Sequence, residues 1–100
     1  MNESAEDGGL LLENLAKKIN SEFPFQVLKR GNSKIVVQSN ISGLYPYISF
    51  ETIINSFYES QGFKVLKEHT DFLITNGMIN SRLIISQSQE QRNQYIFTFS

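Results

Sequence analysis

A shift of 38 residues lays one part of this chain over another without a gap. Phe25-Gln-Val-Leu-Lys29 falls on Phe63-Lys-Val-Leu-Lys67, and only Gln26 and Lys64 differ. Upstream, Leu12, Leu15, Ala16 and Ile19 fall on Phe50, Ile53, Ile54 and Phe57. Both sets have the i, i+3, i+4, i+7 spacing of one helical face. Downstream, Ile35-Val36 falls on Leu73-Ile74. The doubling covers residues 12–38 and 50–76. A self-similar period of this size means one supersecondary unit used twice. It predicts that Phe25 is equivalent to Phe63, and Ile19 to Phe57.

Each unit reads as helix, strand, strand. The first helix is expected from about Leu10 to Ser21, where Phe23-Pro24 stops it because proline biases its predecessor away from helix. Strands follow at Phe25–Arg30 and Lys34–Ser39, joined by Gly31-Asn32, a dipeptide that tolerates positive φ. Asn40–Ile48 reads as a connector. The second helix is expected from Ser49, an N-cap residue type, to about Ser60, with Gly62 as its stop. Further strands are expected at Phe63–Glu68, Phe72–Thr75, Arg82–Ser88 and Tyr95–Phe99. The order is αββαββββ. Short connections make the sheet mainly antiparallel. The expected fold class is therefore α+β, two layers, with both helices on one face of the sheet and tandem αββ units. Residues 1–9 are expected to be a flexible acidic terminus, and 10–100 a single domain with units 10–40 and 49–100.

The strands carry a second constraint. Phe25 and Val27 point one way and Leu28 the other, and Phe63, Val65 and Leu66 repeat this. Val36 opposes Ile35 and Val37, as Ile84 opposes Leu83 and Ile85. Apolar side chains are thus expected on both sheet faces, while the helices can cover only one. The other face needs a cover from the connector, a second copy or a partner.

Composition narrows the function classes. With 40% hydrophobic residues, the chain can bury a core and is not disordered. No apolar run is long enough to span a membrane, and the acidic start Met1–Gly9 is unlike a signal peptide. Cysteine is absent, which removes thiolate metal sites and thiol catalysis and fits a reducing, cytoplasmic compartment. His69 stands alone between Glu68 and Asp71 at an expected hairpin tip, so it reads as a turn residue. There is no P-loop and no Gly-x-Ser-x-Gly elbow. No catalytic residue, metal site or cofactor site is assigned, and the chain reads as a non-enzyme.

Two surfaces remain as candidates. The aromatic connector offers Tyr45 and Tyr47 as anchors for a partner, and the uncovered sheet face offers Ile84 and Ile96. The terminal strand Tyr95–Phe99, if it lies at an edge, offers free backbone groups for pairing. If Tyr95, Phe97 and Phe99 instead lie on the helix-free face, they offer a stacking platform for bases. The alternative is nucleic-acid binding by a basic hairpin and helix end: Lys17, Lys18, Lys29, Arg30 and Lys34. A net charge of −1 makes that weak and salt-sensitive.

The stretch Phe50–Phe99 resembles the kinase-associated regulatory domain at the carboxyl end of some protein kinases. The likeness lies in a helix, then Gly62-Phe63-x-Val65, a short hairpin, and two longer strands ending in Tyr95-Ile-Phe-Thr-Phe99. It covers half the chain and has no counterpart of those domains' closing helix or of their basic residues after the last strand. The resemblance implies an arrangement of elements and no function. The reading is a small regulatory or adaptor protein that binds another protein, or itself, through a sheet face, the aromatic connector or an edge strand.

Overall fold

The computed structural model describes residues 11–31, 33–40 and 45–100, without the side chains of Leu11 and Tyr45. The acidic terminus, the middle of the connector and Asn32 of the first turn lie outside the described residues. Two helices and six strands follow in the expected order: α1 Leu11–Asn20, β1 Phe25–Arg30, β2 Lys34–Ser39, α2 Tyr45–Glu59, β3 Lys64–Glu68, β4 Asp71–Thr75, β5 Asn80–Gln87 and β6 Gln94–Phe99. The strands form one antiparallel sheet in the order β1-β2-β6-β5-β4-β3. This is the expected two-layer α+β fold.

The doubling is visible in the sheet. The hairpin of each unit takes one flank, and β5 and β6 fill the middle. In α1, Leu12, Leu15, Ala16 and Ile19 are all fully buried. In α2, Phe50 and Ile54 are fully buried and Ile53 nearly so. The last equivalence fails: Phe57 is only partly buried, and its neighbour Tyr58 takes the core position. Phe50 is the hub of the core. Its ring lies 4.7 Å from Phe25, 4.9 Å from Phe97 and 5.2 Å from Tyr95. Most of these contacts are tilted or edge-to-face, the favoured geometry for aromatic pairs.

Three expectations need correction. First, α2 begins at Tyr45, not Ser49, so the aromatic segment is the helix's first turn and not a connector. Proline is accepted there because the first-turn N–H groups have no helical partner. Second, the ungapped offset breaks inside the first hairpin. A β-bulge between Val27 and Lys29 inserts Leu28, so Arg30 lies opposite Ile35 as Lys67 lies opposite Phe72. Buried Ile35 and Val37 therefore correspond to buried Phe72 and Ile74, one residue out of step with the match of Ile35-Val36 to Leu73-Ile74. A one-residue slip exchanges the two faces of a strand. Third, the terminal strand β6 is central. It pairs with β2 and β5, and the Ser100 N–H donates to Arg82 O at 3.0 Å. Tyr95, Phe97 and Phe99 are buried beneath the helices, so they form core and no stacking platform.

The ends of α2 and α1 are closed differently. Gly62 has φ +89°, and the Phe63 N–H donates to Tyr58 O while the Gly62 N–H donates to Glu59 O. This is the Schellman arrangement, which needs a left-handed residue. After α1 the chain turns through Phe23-Pro24. Asn20, the last helical residue, uses its Oδ1 to accept from the Val27 N–H of β1 at 2.9 Å.

Candidate interaction surface

The side chains on the helix-free face can be read from the ladder register. Strand β1 contributes Leu28 and Lys29, and Lys29 lies opposite Val36 of β2. Val36 lies opposite Ile96 of β6, and Lys34 opposite Thr98. Thr98 lies opposite Ile84, and Ile96 opposite Ser86 of β5. Ile84 faces Asp71 and Arg82 faces Leu73 on β4, while Leu73 and Asp71 face Leu66 and Glu68 on β3. The apolar members form a band that crosses all six strands: Leu28, Val36, Ile96, Ile84, Leu73 and Leu66. The inner four are half-buried by their neighbours alone, while Leu28 and Leu66 at the two edges are exposed. The band has polar borders. Arg82 Nη1 lies 3.0 Å from Glu68 Oε1 and 3.6 Å from Asp71 Oδ2 on one side, and Lys29 and Lys34 stand at the other end.

The expected residues divide between two surfaces. Ile84 and Ile96 both lie on the open face, in the middle of the band. Tyr47 does not join them. It sits in the first turn of α2, edge-on to Tyr95 at 5.3 Å, and burial raises its phenol above the ordinary tyrosine range. The side chain of Tyr45 lies outside the described residues. Tyr47 therefore offers no anchor next to the sheet face.

The five basic residues also fail to converge. Lys17 and Lys18 are on the exposed side of α1, and Lys18 Nζ pairs with Glu22 Oε2 at 3.0 Å. Lys29 and Lys34 are on the open sheet face. Arg30 lies opposite Ile35 and so points to the helix side. A hairpin with two lysines on one face remains.

His69 is in the two-residue turn between β3 and β4, with φ +59°. It borders a recess of about 100 Å³ with Tyr47, Glu51, Lys67, Thr70, Phe72 and Ile85. That is below the roughly 300 Å³ at which small-molecule pockets begin. Across its rim Lys67 Nζ pairs with Glu51 Oε1 at 2.9 Å. Among the described residues, no group of three or more His, Cys, Asp or Glu could hold a metal ion. Nor is any helix among them long and apolar enough to cross a membrane.

Sequence reasoning missed one exposed apolar pair. Phe23, which is 87% exposed, and Ile48 flank a shallow groove between the end of α1 and the start of α2. Phe23 reads only as a helix stop from its proline, and Ile48 as connector. The signal available was that Ile48 falls off the apolar face of Phe50, Ile53 and Ile54.

No protein-family model matches this chain, and no characterised protein or solved structure is significantly similar to it. The likeness of Phe50–Phe99 to kinase-associated domains thus rests on its few residues and carries no argument.

Proposed function

We propose that this chain is a small non-catalytic regulatory or adaptor protein of the cytoplasm, and that it binds another protein through the open face of its sheet. One observation carries the reading: an apolar band crosses the whole face, with both helices on the other side. Each large aliphatic side chain left in water forgoes about 1.5–3 kcal/mol relative to full burial. A partner that covers the band recovers part of that for several residues at once. The polar border of Arg82, Glu68, Asp71, Lys29 and Lys34 resembles the rim that surrounds the apolar centre of protein interfaces. Nucleic-acid binding receives less support, because the basic side chains are divided between the two layers.

The test is affinity capture from the native host with two baits, the unaltered chain and a protein carrying Ile84→Lys and Ile96→Lys. Both sites are half-exposed, so the altered bait is expected to keep its circular dichroism and its cooperative unfolding. The expected result is a partner retained by the first bait and lost by the second. Equal recovery of the same partners by a folded double variant would overturn the reading.

A further inference from the structure

We infer that β3 is a self-complementary edge through which two copies of this chain pair antiparallel, centred on Leu66, to give one continuous sheet of both molecules. The inference concerns the sheet edge and does not depend on the open-face reading.

The backbone supplies the first argument. Glu68 and Asp71 flank a two-residue turn and so form a hydrogen-bonded pair. Pairs alternate along an antiparallel ladder, so Leu66–Leu73 and Lys64–Thr75 are hydrogen-bonded as well. Val65 and Lys67 are then the residues whose N–H and C=O groups point outward. Strand β3 is at the end of the sheet order and has no bulge. Its outer edge is therefore a straight template for another strand.

The register supplies the second. An incoming β3 must place its own outward residues opposite these. Pairing Lys67 with Lys67 of the second copy sets like charges together, and pairing Val65 with its own copy engages only that residue's groups. Pairing Val65 with Lys67 of the other copy, in both directions, engages all the outward groups and satisfies the dyad. Leu66 then lies on the axis against Leu66.

The side chains supply the third and fix the occupant as a second copy. In that register Lys64 lies opposite Glu68 of the partner, and Glu68 opposite Lys64, both on the open face beside the Leu66 pair. Opposite charges directly across a ladder are favourable, as are apolar pairs. Lys64, Leu66 and Glu68 are all exposed in the single chain, with Leu66 at 52%. Strand Lys64-Val-Leu-Lys-Glu68 thus matches itself in reverse in charge, in apolar contact and in backbone direction. Pairing across a dyad is isologous and closes at two copies.

Sedimentation equilibrium of the full chain over a wide concentration range tests this. The expected mass moves from 11.5 kDa at high dilution toward twice that and no further. Lys64→Glu and Glu68→Lys, made separately, each set like charges opposite and are expected to raise the dimer dissociation constant about tenfold or more. An equimolar mixture of those two proteins restores opposite charges at both positions, and is expected to regain the dimer as a heterodimer. The variant with Ile84→Lys and Ile96→Lys is expected to dimerise like the unaltered chain, which separates this edge from the open face. A strict monomer at all concentrations, assembly beyond two copies, or a dimer indifferent to both charge changes would overturn the inference. So would failure of the mixture to recover.

Discussion

The two edges of the sheet are built from equivalent parts of a doubled unit and are finished in opposite ways. Strand β1 carries three guards. Leu28 bulges out of the ladder, Asn20 of α1 occupies the Val27 N–H, and Lys29 and Arg30 stand in succession. These are recognised ways to stop a sheet from adding strands. Among the described residues, strand β3 has neither of the first two. Its ladder is regular, and the residue at the position of Asn20 is Tyr58, which turns inward and is fully buried. Its charges are arranged so that they match in reverse. The cores of the two units agree while their edges diverge. Packing constrains the shared helical face of both units, whereas the edges are free to specialise.

Five substitutions probe this comparison. The largest effect is expected in the shared core. Phe50→Ala removes the ring at the centre of the aromatic cluster and should cost about 3–5 kcal/mol in urea unfolding. Its counterpart Leu12→Ala should cost about 2–5 kcal/mol. A negligible loss at either would show that the two helices do not hold one common core.

Next comes the guard on β1. Asn20→Ala frees the Val27 N–H, and should cost about 0.5–1.5 kcal/mol. It should also make the chain associate beyond a dimer, because a second edge is opened. If light scattering shows unchanged assembly, Asn20 does not protect that edge.

A smaller change of opposite sign is expected at Tyr58. Among the described residues its hydroxyl is buried without a hydrogen-bond partner, and burial raises its pKa far above the ordinary value. Leaving such a group unsatisfied costs stability. Tyr58→Phe should therefore leave the fold intact and raise stability by up to about 1 kcal/mol. A clear destabilisation would mean that the hydroxyl has a partner in solution.

The smallest effect is expected at the Lys67–Glu51 pair, which is exposed. Glu51→Gln should change stability by less than about 1 kcal/mol, and the difference should shrink in salt. A larger loss would show that this pair, and not apolar packing, holds α2 to β3.

The order and type of the elements were legible because each rests on a local period. Leu12, Leu15, Ala16 and Ile19 share one helical face in the sequence and are buried together. What escaped depends on non-local geometry or on a position read too simply. Nothing in Val27-Leu28-Lys29 announces a bulge, so the ungapped alignment carried through β2 matched Ile35-Val36 to Leu73-Ile74, one residue out of step. Residues 40–48 read as a connector with Ser49 as the N-cap, although a proline is accepted in a first helical turn, and this displaced the start of α2 and misplaced Tyr47. The central position of β6 could not be read from Tyr95–Phe99, because which strands it joins is decided by the rest of the sheet. Strand alternation showed Leu28, Leu66, Val36 and Ile84 on one face, whereas the register that joins them into a band through Leu73 was not visible.

The contrast between the two edges can be measured most directly by backbone amide hydrogen exchange, with Val27, Val65 and Lys67 followed at low and high protein concentration. Val27 is expected to be protected at both, since Asn20 holds its N–H within one chain. Val65 and Lys67 are expected to exchange fast when dilute and to slow as concentration rises. If Val65 and Lys67 are as protected as Val27 in dilute solution, or stay fast at every concentration, β3 is not an open self-pairing edge.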